Sequence, residues 1–311
     1  MNYTNRHELS DFACAILKED DYDHPDGFTM SQLNNPIRIN LLTKRHNELI
    51  ETDVINNSYS VRGQALHALA AVAGKKFKAA IIEERFMVKV GPYKVFFKPD
   101  ALIPSSSNTY RLWDIKDCKV GTARREHLKP EWIAQVNCYR WAAEQYHQIK
   151  INQQTVMMWL KDWSYTDCHE RNLPNYPPID IIEEDVPIWT DAECKAYIIH
   201  EIEDLLSEDD TKDNDLPRCS SAERWATKDG FAVVFDDGKT KGQQVPKGGG
   251  YTTYIEAKTF AEEKKKKMTK STKRELKVIF KPSVSIRCER FCLVNKFCNQ
   301  YHESKQQEQH F

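Results

Sequence analysis

Apolar and polar positions alternate in distinct periods along this chain, and the changes of period mark out its elements. After an irregular polar stretch over 1–36, with His24-Pro25-Asp26-Gly27 as a turn, apolar residues recur at helical spacing from Ile37 to Glu51. A second, alanine-rich helix is predicted from about Ser60 to Ala73, stopped by Gly74. The period then falls to two. Ile81 to Val90, Tyr93 to Ile103 and Tyr110 to Cys118 read as a three-stranded meander, with Pro104-Ser105-Ser106-Ser107-Asn108 as a hairpin turn. Pro130 opens another helix through Ala143, and Thr155 to Leu160 reads as a strand reached by that helical crossover. The order predicts an α/β core with a central mixed sheet flanked by helices.

Beyond this core the pattern loosens. Residues 171–187 are proline-rich and lead into an acidic helix from Asp191 to Ser207. Phe231 to Phe235 and Leu276 to Phe280 read as short strands separated by a Gly/Lys loop, and Ala257 to Met268 as a helix with a basic end. From about Glu303 the chain is polar and expected to fray. The predicted organisation is a polar segment over 1–36, a core over 37–170, a C-terminal region over 171–302 packed on that core, and a tail over 303–311.

Composition narrows the class. The 311 residues are 40% hydrophobic and 29% charged, the profile of a globular protein with a sizeable core. No apolar run approaches a membrane span and the N-terminus lacks a signal pattern, so a cytoplasmic protein without membrane partners is expected. The formal net charge of −1 gives no bulk field for a polyanion. Charge is nevertheless uneven, because Lys264 to Lys281 holds nine Lys and Arg and one acid, Glu275.

Candidate chemistry centres on the segment from Phe96 to Lys116. Asp100 ends a strand-like run, and Asp114 and Lys116 share one face of the next strand. A hairpin brings Asp100 beside them, and two carboxylates with an ammonium at a strand end make a site for a divalent cation and an attacking water. His67 on the preceding helix is either a packing histidine or a metal ligand facing these carboxylates. Gln135 and Tyr139, four apart, share a face of the following helix.

Nine cysteines, an odd number, argue against a disulfide framework. Cys288, Cys292 and Cys298 fall within eleven residues, and three thiolates need a fourth ligand to complete a tetrahedral zinc site or a [4Fe-4S] cluster. Cys219 is the better candidate, with Cys14 its rival. The missing two-residue spacing of zinc ribbons tilts the reading towards iron–sulfur. Cys118, Cys138, Cys168 and Cys194 are expected to pack in the interior.

Taken in order, Gly63-x3-His67, Pro99-Asp100, Asp114-Ile115-Lys116 and Gln135-x3-Tyr139 resemble the RecB-like branch of the PD-(D/E)XK nuclease superfamily. Cys219 with the Cys288/Cys292/Cys298 trio resembles its iron–sulfur members, which include the AddB nuclease domain and CRISPR-associated RecB-like exonucleases. The turn from Leu216 to Trp225, the end from Arg287 to Cys298 and the Lys161-Asp162-Trp163-Ser164 strand end are most like the phage- and prophage-encoded proteins of this type. In the AddB and CRISPR-associated relatives the lone cysteine precedes the core, whereas Cys219 follows it here.

The resemblance implies a restriction-endonuclease-like core with a cysteine-ligated cluster region at its C-terminal side. It implies that His67, Asp100 and Asp114, with the Ile115 carbonyl, ligate Mg²⁺ or Mn²⁺, that Lys116 polarises the attacking water, and that Gln135 and Tyr139 support the site or contact the strand. The implied activity is a DNA exonuclease working on ends or single strands in phage recombination, replication or repair. Host-cell cytoplasm, recombination or replication proteins as partners, and an oligomer are the implied context. The other classes open to the sequence are a non-catalytic nucleic-acid-binding module using the 264–281 run and a zinc-stabilised adaptor.

Overall fold

The computed structural model describes residues 2–19, 25–106, 109–171, 175–245, 250–269 and 274–308. His24, Ser107, Asn108, part of the Gly/Lys loop, Lys270, Lys273 and residues 309–311 lie outside this set. The chain divides into two compact units, Met1–Lys212 and Asp213–Phe311.

In the first unit the amino-terminal stretch expected to be irregular carries structure. Strand β1 (Asn2–Thr4) is followed by helix α1 (Asp11–Lys18), whose start is capped by the Ser10 side chain accepting from the Ala13 amide. Next come β2 (Phe28–Thr29), α2 (Met30–Leu33) and α3 (Ile37–His46). The helix predicted to reach Glu51 stops short, because Glu51–Asp53 forms β3 in parallel register with β1. Asp53 fastens this pair, its carboxylate accepting from the Arg6 amide at 2.7 Å and from Thr4 at 3.0 Å.

Helix α4 (Ser58–Gly74) carries His67 and ends at the expected glycine. Gly74 is buried against Ile82, close enough that a Cβ there would lie 2.5 Å from two of the Ile82 side-chain carbons. The predicted meander is split into more pieces: β4 (Ile81–Ile82), β5 (Phe86–Val90), β6 (Tyr93–Phe97), β7 (Ala101–Ser106) and β8 (Thr109–Cys118). The single strand expected from Tyr93 to Ile103 breaks at Lys98-Pro99-Asp100. Proline cannot donate to a ladder, and the two halves join different sheets, β6 in the order β2-β6-β5 and β7 in the order β10-β9-β8-β7-β4.

After α5 (Val120–Ala123), helix α6 (Pro130–His147) crosses over to β9 (Lys150–Leu160), which lies parallel to β8. Strand β10 (Ile181–Asp185) and helix α7 (Asp191–Ser207) complete the unit, α7 opening with a Thr190/Glu193 capping box. The five-stranded sheet is therefore mixed, with β8–β9 parallel and the other pairs antiparallel. Even-numbered Lys116 of β8 bonds to α6, and odd-numbered Asp117 pairs with Arg62 of α4, so helices flank both faces. The core gathers Leu102, Leu112, Val136, Val156, Met158 and Ile198, all buried. Cys138 and Cys194 pack side by side between α6 and α7, as their expected interior role requires. β10 and α7, placed by the sequence reading beyond a boundary at 170, belong to this unit.

The second unit contains β11 (Gly230–Phe235), α8 (Tyr254–Lys267), β12 (Leu276–Lys281), α9 (Ile286–Arg290) and α10 (Asn299–Glu308). β11 and β12 pair antiparallel through six positions, and α8 packs on both over Val233, Ala257, Ala261 and Leu276. The tail expected to fray from Glu303 continues α10 to Glu308. Among the described residues no helix is long and apolar enough to cross a membrane.

Candidate metal site

The break at Pro99 places Asp100 at the mouth of the β7–β8 hairpin, where Ala101 pairs with Trp113. The Asp100 side chain, 6% exposed, folds back over β8 and accepts a hydrogen bond from the Ile115 amide at 2.6 Å. Its other oxygen lies 3.2 Å from Nδ1 of His67. The same nitrogen lies 2.9 Å from Glu83, whose second oxygen pairs with Lys98 at 2.6 Å. The ligand atoms of His67, Glu83 and Asp100 all fall within 4.8 Å of one another, the one group of three such donors found among the described residues.

Glu83 escaped the sequence reading. It follows β4 in the left-handed region, at φ 52°, and its amide donates to the Asp100 carbonyl at 3.1 Å. A glutamate in that conformation is held by its surroundings at a backbone cost. The only sequence signal was the paired Glu83-Glu84 interrupting an otherwise apolar strand pattern.

Asp114 and Lys116 share a face of β8, as alternation demands, with Lys116 Nζ 2.8 Å from the Asp114 carboxylate. That approach is a close, buried ion pair. Both Asp114 oxygens are buried and have no hydrogen-bond partner. Lys116 Nζ donates to Gln135 Oε1 at 3.0 Å, and Gln135 Nε2 donates to the Tyr139 hydroxyl at 3.0 Å. The i, i+4 spacing on α6 thus forms a relay that aims the lysine. Tyr139 is itself fixed edge-on against Phe97.

Charge in this cluster is strongly perturbed. Hydrogen bonding to Asp100, then to Glu83, raises His67 to about 10. Burial would raise Glu83, but His67 and Lys98 outweigh it and hold the carboxyl below its ordinary value. Burial pushes Asp114 up to about 6, against the pull of Lys116. For Lys116, burial opposes the charge, yet Asp114 and Asp100 hold it above the usual lysine value. The pocket therefore favours added positive charge, which the imidazolium supplies here. One imidazole nitrogen and the carboxylates of Glu83 and Asp100 form a donor set of the kind that fits a divalent cation, and Asp114, ion-paired with Lys116, is not in that group of three.

The four cysteines singled out at the C-terminal side sit in the second unit as free thiols. Burial, then Glu223, then Cys298, Cys288 and Cys292 push the Cys219 thiol up to about 12. Burial and then Cys292 and Cys298 raise Cys288 to about 11, and burial raises Cys292. No three of these sulfurs lie within 4.8 Å of one another. The neighbourhood is built by Gln300, which accepts from the Cys219 amide at 2.9 Å and donates to its carbonyl at 2.8 Å. Burial is the first cause at Cys219, Cys288 and Cys292, and buried thiols that resist ionisation are unreactive as free groups. Cys14, the rival fourth ligand, lies buried on α1 in the first unit.

No protein-family model matches this chain, and neither does any curated protein. Among solved structures, the one described as "Crystal structure of SSO0001" aligns at 15% identity over 65% of this chain and 87% of its own, with a TM-score of 0.45. That likeness bears on neither family nor activity.

Proposed function

We propose that this protein is a metal-dependent DNA nuclease of the RecB-like PD-(D/E)XK type, with the first unit as its restriction-endonuclease-like core. The observation that carries this reading is the placement of Lys116, 2.8 Å from Asp114 and 3.0 Å from Gln135, on the hairpin that also presents Asp100 to His67. A strand-end lysine aimed in this way belongs to the chemistry of a phosphodiester, whose transition state carries extra negative charge.

His67, Asp100 and Asp114, joined by Glu83, would hold Mg²⁺ or Mn²⁺. The bound ion supplies Lewis-acid neutralisation of the phosphate. Lys116 remains charged and donates to a water or a phosphate oxygen, while Gln135 and Tyr139 keep its rotamer fixed. Asp114 is buried with one oxygen on the Lys116 ammonium, which leaves its other oxygen as acceptor. Cys219, Cys288, Cys292 and Cys298 would hold a [4Fe-4S] cluster, with zinc the other occupant that four thiolates accept. Hydrolysis moves no electrons, so that centre stabilises the second unit. The biological setting that accompanies this reading is end or single-strand degradation in phage or prophage DNA recombination, replication or repair, inside the host cell.

The test is digestion of end-labelled single- and double-stranded DNA with Mg²⁺ or Mn²⁺, with Lys116→Ala as control. The wild-type protein is expected to release nucleotides from ends and the variant to be silent. Equal degradation by both proteins, or none by the wild type under either metal, overturns the reading.

A further inference from the structure

The net charge of −1 conceals two opposed units. The second unit holds 20 Lys and Arg against 13 Asp and Glu, a net +7, which leaves the first unit at −8. All of that excess falls in residues 226–285, with 14 basic residues against 7 acidic ones. A core at −8 repels a polyanion at long range. Binding of DNA by this chain therefore needs a positive surface elsewhere.

Among the described residues, 226–245, 250–269 and 274–285 share a core and a closed neck. Ala226 and Ser285 bridge antiparallel, and the Thr227 amide donates to the Val284 carbonyl at 3.0 Å. The Val284 amide donates to Thr227 Oγ1 at 2.9 Å, and the Ser283 amide to Asp229 at 2.6 Å. Arg224 then bonds Ser285 at 2.7 Å just outside the neck. The chain thus leaves and rejoins the unit at one place, between Cys219 and Cys288 in sequence. Inside the loop so closed, the β11–β12 ribbon and α8 bury Val233, Val245, Ala257, Ala261 and Leu276 against one another.

The last turn of α8 presents Lys264, Lys265, Lys266 and Lys267, all exposed. A helix C-terminus favours a cation or two there through its dipole, but that does not account for four in a row. Glu262 and Glu263 stand four positions before Lys266 and Lys267, the spacing for helical ion pairs, yet among the described residues none of these lysines forms one. Lys277 and Lys281 add two further exposed cations on β12.

We propose that residues 226–285 are an inserted DNA-gripping module, whose α8 lysine end contacts the phosphate backbone without reading sequence. The contact is electrostatic and acts on any DNA strand. It extends the nuclease reading by naming a second DNA surface, and its test does not depend on cleavage.

The experiment is fluorescence anisotropy of the full-length Lys116→Ala protein with a labelled oligonucleotide, without divalent cation, across a salt series. The comparison adds Lys264→Ala, Lys265→Ala, Lys266→Ala and Lys267→Ala together. Because all four side chains are exposed, circular dichroism and thermal melts are expected to be unchanged. Affinity at about 50–200 mM salt is expected to fall at least about tenfold, and the log–log salt slope to shrink by roughly two to four units. The corresponding four Lys→Arg changes are expected to restore both. Unchanged affinity and slope would overturn the proposal, as would unchanged DNA binding with lost binding to phosphatidylserine vesicles. Loss of DNA binding in a protein that proves to have no nuclease activity would leave this module standing while removing the proposed function.

Discussion

The Asp100 carboxylate and the Ile115 backbone amide meet at 2.6 Å. That bond closes the hairpin one residue past Asp114 and fixes where the second Asp100 oxygen points, towards His67. The carboxylate is thus both a fastening of the fold and a proposed metal ligand, and the two roles separate by substitution. Asp100→Asn keeps an acceptor oxygen and loses the charge, so it is expected to abolish cleavage with little change in urea stability. Asp100→Ala leaves a buried amide unpaired and is expected to cost a further 1–3 kcal/mol or about that much. Paired nuclease assays and urea melts check this. Full activity in Asp100→Asn would remove Asp100 from the metal site.

Glu83 shares His67 with Asp100 and holds Lys98 with its other oxygen. Glu83→Gln preserves its shape while removing one negative charge from the cluster. Mn²⁺ affinity, measured by titration calorimetry, is expected to weaken about tenfold or more. A variant with the wild-type Mn²⁺ requirement would confine Glu83 to a structural part.

In the proposed function Gln135 and Tyr139 position Lys116 and do not themselves react. Gln135→Ala is expected to lower kcat about a hundredfold, the scale of an ångström-sized misplacement, with little change in KM for DNA. Tyr139→Phe keeps the ring against Phe97 and removes only the hydroxyl that Gln135 donates to, so a smaller loss is expected. A rise in KM with unchanged kcat in Gln135→Ala would place the glutamine on the DNA instead.

Metal analysis of the purified protein is expected to find iron with sulfide, or one zinc, and Cys292→Ser is expected to lose it. Because the four thiols sit within the second unit, that loss should lower the melting transition of residues 213–311 and spare the first unit, as partial proteolysis followed by mass spectrometry would reveal. A variant with unchanged metal content would remove Cys292 as a ligand.

The hairpin, the crossover and the shared α6 face of Gln135 and Tyr139 were legible because each rests on a local period, two for Asp114 and Lys116 and four for the α6 pair, whereas the bond from Lys116 to Gln135 was not. Asp191 to Ser207 was readable to the residue, since Thr190 and Glu193 form a capping box at its start. Glu83 was not legible, because its position depends on a left-handed turn and on a partner 16 residues away on another element. The amino-terminal strand was hidden for a similar reason. Asn2–Thr4 becomes a strand only by pairing with Glu51–Asp53, a contact no local pattern announces. The basic run at 264–281 was visible as composition. Its seat in a module closed by Ala226 and Ser285 was not, because that closure joins residues 59 apart in sequence.

Gly74 carries a last consequence. It lies seven residues beyond His67 on α4, about 10 Å along the helix axis. A methyl group there would strike Ile82, the residue just before Glu83. Ile82 and Glu83 are joined by a single peptide bond, so Gly74→Ala is expected to push Ile82, and with it Glu83, away from the imidazole on the same helix.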